Sequence, residues 1–306
     1  MTSAPVLDMR QLRAEGTPWP AMERLVVSGE YVQLFRSVLV RRTALDDPDA
    51  RAAAILRVLP PGGAVCRDTA AWLHGVDVRA PGLHLRPPSL QCVVPHGTAR
   101  VRRPGQRCWI ADLPDADIGF VRGVPTTTPA RTSLDLARYA PRYLALAALD
   151  AYTHQGDVDL TALARRAHAM HGARNIARAR LVLELCDPAA ESAGESWLRL
   201  RLFEAGLPRP EAQISIRDDR GREVYRLDMG FRDARVGVEY DGETFHRATI
   251  QQRMADERRR DDLERRFGWT VIGVHREDVL GRGNALERAV GDLIGFEGIV
   301  MARQEW

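Results

Sequence analysis

The chain contains no lysine; all 44 of its basic residues are arginine. Cysteine is scarce, with only Cys66, Cys92, Cys108 and Cys186. No two of them have the spacing of zinc ligands, and a reducing compartment disfavours pairing, so they read as buried or idle thiols. Long apolar runs are missing too: nothing approaches the roughly 18 residues that a membrane span requires. The N-terminus MTSAPVLDMRQLRAEG lacks a basic region followed by an apolar stretch, so no secretory signal is expected. These absences point to a cytoplasmic protein that does not engage membranes.

What is present is ordinary in bulk and uneven in placement. The 306 residues suffice for two or three domains, and 45% hydrophobic with 28% charged residues suits a globular chain. The first 189 residues carry 24 Arg against 18 Asp and Glu, whereas residues 190 to 306 carry 20 Arg against 23 acids. Any basic footprint for nucleic acid therefore lies in the N-terminal part.

Local patterns divide the chain into segments. Residues 1–45 predict helix, helix and hairpin. LDMRQLRAEG closes at Gly16, PAMERLVVSG closes at Gly29, and EYVQLFRSVLVRR alternates. That is the outline of a winged helix-turn-helix, in which a short second helix enters the major groove and the wing touches phosphates. Arg24 and Arg36 are its candidate DNA contacts. Residues 46–185 predict a middle α+β domain. Helices are expected over DARAAAILRVLP and CRDTAAWLHGV, strands over LQCVVPHG and GQRCWIADL, and helices again from Thr128, an N-cap followed by Pro129. The histidines at 74, 84, 96, 154, 168 and 171 are scattered and suggest no metal site. CDPAAESAG spans 186–194, and its residues 186–193 read as a linker.

Residues 194–306 predict helix, three strands, helix, strand and a last helix. Three acids fall at informative places: Glu195 opens the first helix, Asp228 lies in the strand within YRLDMGF, and Glu239 lies at the end of the strand read from ARVGVEYDG, followed by Asp241. The short turn FRDAR makes the last two strands antiparallel neighbours, so Asp228 and Glu239 can converge. Paired carboxylates repel unless a cation separates them, and an oxygen-rich pair suits Mg²⁺ or Mn²⁺. His246 follows closely and could move a proton at neutral pH. Of the arginines in the polar helix at 249–267, Arg260 is the candidate phosphate contact.

These residues resemble a known superfamily. RLDMGF, VGVEYDGETFH and RRDDLERRFGWTVIGVHREDV, following AESAGESWLRLRLFEAGLPRP, look like the PD-(D/E)XK nuclease fold. Within it they resemble the branch related to very short patch repair (Vsr) endonucleases. The resemblance covers about 190–280 and implies a restriction-endonuclease-like core. It implies Asp228 and Glu239 as metal ligands, Glu195 as the helix acid and His246 as proton acceptor. Asp241 stands where the broad motif has lysine, and with no lysine in the chain none can migrate into that role. Vsr proteins carry a structural zinc, and no ligand set for one is visible.

The N-terminal part resembles AbiEi-type antitoxins of type IV toxin–antitoxin systems. RQLRAEGTPWPAMERLVVSGEYVQLFRSVLV, CRDTAAWLHGV and GVPTTTPARTSLDLARYA carry that likeness over about 5–150. It implies a winged helix followed by a nucleotidyltransferase-like domain. No nucleotide-binding loop or paired catalytic acids are evident there, so no nucleotidyl transfer is inferred. The expectation is an α+β multidomain, DNA-binding, metal-dependent endonuclease acting on duplex DNA in repair or defence. The alternative is a non-catalytic DNA-binding regulator or antitoxin with a protein partner encoded nearby.

Overall fold

The computed structural model describes residues 4–76, 89–98, 105–241 and 250–301. The chain forms two compact units, Met1–Leu136 and Ala137–Trp306.

The first unit opens with β1 (Val6–Asp8), α1 (Met9–Ala14), α2 (Trp19–Val27), β2 (Tyr31–Phe35) and β3 (Val38–Arg41). Helix, helix and hairpin thus occur in the expected order. The Asp8 carboxylate caps α1 by accepting the Arg10 N–H at 2.9 Å. One strand was not expected: β1 pairs antiparallel with β3, giving a three-stranded sheet of order β1-β3-β2. After α3 (Pro48–Leu56) come β4 (Ala64–Val65), α4 (Arg67–His74), β5 (Leu90–Val94), β6 (Gln106–Ile110), β7 (Ile118–Val121), β8 (Val124–Thr127) and α5 (Pro129–Tyr139). The five strands β4–β8 form a sheet of order β6-β5-β4-β8-β7. Both sheets share one core. Val38 and Val40 of the first sheet pack in the same cluster as Ile55 of α3, Trp72 of α4 and Val65, Leu90 and Val124 of the second. Met22, Tyr31 and Leu39, within residues 6–40, are buried as well.

The second unit contains α6 (Arg142–His154), α7 (Leu160–Ala169), α8 (Ile176–Leu185), α9 (Ala193–Glu204), β9 (Glu211–Arg217), β10 (Glu223–Phe231), β11 (Val236–Asp241), α10 (Ile250–Phe267), β12 (Thr270–His275), α11 (Arg276–Leu280) and α12 (Ala285–Leu293). Pro141 separates α5 from α6, since proline cannot supply the N–H a continuing helix needs. The segment 186–193, read as a linker, is anchored: the Asp187 N–H donates to Asp150 at 2.8 Å, and Ala190 is buried. From α9 onward the order is helix, three strands, helix, strand, as expected. The sheet runs β12-β11-β10-β9, with β11 antiparallel to β10 and parallel to β12. Leu263 of α10 packs onto Ile214, Ile216 and Leu227. Among the described residues, no helix is long and apolar enough to cross a membrane.

Candidate functional site

The acids predicted to act together lie on α9, β10 and β11. Met229 pairs with Val238 across β10 and β11, and Asp228 and Glu239 each lie one residue beyond that pair. The Tyr240 N–H donates to Asp228 Oδ2 at 2.8 Å. Burial pushes the Asp228 carboxyl up to about 6; the Tyr240 N–H opposes this, the charges of Glu195 and Glu239 reinforce it, and Arg259 offsets them. Glu195 is buried in the first turn of α9. Its Oε2 accepts from the Glu191 N–H at 3.1 Å and from Gln213 Nε2 at 3.0 Å, while its own N–H donates to Ser192 Oγ at 3.2 Å. Glu195 thus secures the helix start as well as joining the acid cluster.

Glu239 is also buried, and its partner is Arg259. The guanidinium grips it bidentately, Nη2 to Oε1 at 2.6 Å and Nη1 to Oε2 at 2.7 Å, and Arg259 Nη2 also donates to the Arg226 carbonyl at 3.2 Å. That pairing strengthens the protonated guanidinium. Asp241 has a looser contact, 3.3 Å from Arg260 Nη2. Burial raises the Asp241 pKa, with Arg260 the main opposing influence. Gly273 makes room for this pair, because a Cβ there would overlap both side-chain termini. Arg260 therefore sits beside Asp241, not Glu239. His246 lies outside the described residues. Arg24 is exposed on α2, and Arg36 is exposed in the turn between β2 and β3.

Two residues join the site that sequence reasoning missed. Arg259 is one; it lies four before Leu263, the buried residue that orients α10, and shares its face. Gln213 is the other. It has a φ of 51° within β9, between the pairs Ala212–Met229 and Ile214–Leu227. A non-glycine residue in that region stores on the order of 1–3 kcal/mol of strain. Here the side chain reaches Glu195. No sequence signal marks such a position.

The donor set does not fit a divalent ion as arranged. Both Glu239 oxygens are engaged by Arg259, and one oxygen each of Asp228 and Glu195 is engaged by N–H groups. Among the described residues, no three His, Cys, Asp or Glu side chains converge closely enough to hold a metal.

The raised Asp228 pKa has a measurable consequence. Its folded value of about 6 exceeds its ordinary 3.8. The folded state therefore holds this proton more tightly than the unfolded chain. The resulting stability is present at low pH and is lost as pH rises through about 6. Asp228→Asn keeps an acceptor for the Tyr240 N–H and cannot ionise. Urea melts across pH 4 to 7 should show the variant gaining on the wild type as pH rises; a constant difference would mean that Asp228 titrates normally.

Comparison with known proteins places part of this architecture in a recognised class. Residues 63–185, from just before β4 to the end of α8, match the AbiEi antitoxin C-terminal domain. The antitoxin likeness is thus found, centred further along the chain than the 5–150 expected from sequence. The uncharacterized proteins MT2308 and Rv2248, from two strains of Mycobacterium tuberculosis, are each 32% identical to this chain over 240 residues, covering 77% of it and 83% of their own length. The chain belongs to the same family as these mycobacterial proteins.

Proposed function

We propose that the protein is a DNA-binding regulator of the antitoxin kind, with a protein toxin as its partner, and that it does not depend on catalysis. The observation that carries this reading is the match of residues 63–185 to the AbiEi antitoxin C-terminal domain. Helix, helix and sheet precede that span, and their exposed Arg24 and Arg36 supply cations for phosphates. The excess of arginine over acid in the first 189 residues supports the same division of labour. In this reading residues 1–45 act as a winged helix on duplex DNA. The domain matched to AbiEi serves the regulatory role, and residues 194–306 form a nuclease-like module used for binding.

The test is binding of the full chain to duplex DNA spanning its own promoter. Affinity should fall with added salt, because each neutralised phosphate releases counterions. Arg24→Ala with Arg36→Ala should weaken binding and reduce the slope of log affinity against log salt by about 2. The endonuclease expected from Glu195, Asp228 and Glu239 predicts instead that Mg²⁺ or Mn²⁺ drives nicking of supercoiled DNA. Cleavage lost in Asp228→Ala would replace the regulatory reading.

A further inference from the structure

We propose that Arg259 is the resident cation of the C-terminal acid cluster, standing where Glu239 and Asp228 would otherwise call for a divalent ion, so that the wild-type site takes none. The inference concerns the cluster alone and is independent of DNA binding, so each can fail without the other.

Three features carry it. The first is geometry. A guanidinium presents paired N–H donors in a planar fork that matches the two oxygens of a carboxylate, and Arg259 meets Glu239 in that way at 2.6 and 2.7 Å. A Mg²⁺ ion would need such oxygens at about 2.0–2.1 Å and in near-octahedral order. It cannot share them with a cation already bonded to both. The second is anchoring. The Arg226 carbonyl accepts from Arg259 Nη2 at 3.2 Å, and fully buried Leu263 fixes α10 one turn further on. Release of Arg259 from Glu239 would also break the first of these contacts. The third is charge. Arginine stays protonated in proteins, so the positive charge is permanent and needs no solution ion. It influences Asp228 as well as Glu239.

Removing that charge should expose what it conceals. Without it, Asp228 and Glu239 on neighbouring strands lose the charge that offsets their repulsion. Two carboxylates with room for water then form a weak divalent-cation site.

The experiment uses the full chain and Mn²⁺ alone. Bound Mn²⁺ is read by electron paramagnetic resonance, and Tm is measured with and without the ion. The wild type should bind no Mn²⁺ at this site and show no rise in Tm. Arg259→Gln, which keeps hydrogen-bonding groups but loses the charge, should melt lower and regain part of the loss with Mn²⁺. Adding Asp228→Asn should abolish that recovery. Stoichiometric Mn²⁺ on the wild type, lost in Asp228→Asn, would overturn the proposal. So would a folded Arg259→Gln that ignores Mn²⁺. If that variant does not fold, the wild-type titration still decides.

Discussion

Arg201→Met should cost about 3–5 kcal/mol of stability, the loss expected when one partner of a buried ion pair is removed. Arg201 lies on α9, a helix whose residues 194–202 are all buried, so its charge has no route to water. It is matched instead by a complete set of partners. Nε and Nη2 donate to the two oxygens of buried Glu287 at 2.7 and 3.0 Å. Nη1 donates to the carbonyls of Val279 at 2.7 Å and Gly281 at 3.1 Å, and also to that of Asp278; Nη2 also reaches the Gly283 carbonyl. One side chain thus ties the whole turn from α11 to α12 onto α9. Methionine fills much of the volume and leaves Glu287 buried without a counter-charge, alongside carbonyls that lose their donor. A domain stable by about 5–15 kcal/mol would feel that loss strongly. Urea unfolding followed by tryptophan fluorescence measures it. The double variant Arg201→Met with Glu287→Leu should recover part of the loss, since an apolar pair can replace a buried ion pair. Recovery should stay incomplete, because the carbonyls near 278–283 still lack donors. A single-variant loss below about 1 kcal/mol would mean that water reaches Glu287.

The order of elements from α9 to β12 was legible because each has a local cause. Gly206 and Gly268 end helices, the turn after Phe231 is short, and the strands alternate or run apolar. The nearness of Asp228 and Glu239 followed from that short turn, which makes their strands antiparallel neighbours. What escaped the sequence was the partner of each acid. Residues 258, 259 and 260 are all arginine, so type cannot choose among them. Phase relative to buried Leu263 sets Arg258 aside but leaves Arg259 and Arg260, four and three residues before it, on the same face, and which acid each meets is fixed by the sheet. Gln213 was invisible for a different reason, since its left-handed φ is imposed by the sheet around it. Segmentation at residue 45 was likewise local. Helix, helix and hairpin suggest a boundary there; Val38 and Val40 pack in one cluster with Val65 and Val124. Shared cores are made by long-range packing, which no local pattern reports.

Gly194→Ala should destabilise the protein by roughly 1–3 kcal/mol, the usual cost of overfilling a packed interior. In an unobstructed helix the same change would stabilise by up to about 1 kcal/mol, because glycine loses more backbone entropy than alanine. The sign is reversed here by Tyr240. A Cβ on Gly194 would overlap Cδ1, Cε1 and Cζ of that ring. Ring atoms cannot compress, so the tyrosine must leave or α9 must shift from β11. Either movement disturbs the acid cluster, for Tyr240 lies between Glu239 and Asp241 and its N–H holds Asp228. The decisive control repeats the substitution in a Tyr240→Ala background. With the ring removed, Gly194→Ala should become neutral or stabilising, and the two changes should cost less together than their separate costs combined. Thermal melts of the four proteins complete the cycle. The same destabilisation in both backgrounds would show that Tyr240 is not the obstacle and that glycine is needed at the start of α9 for another reason.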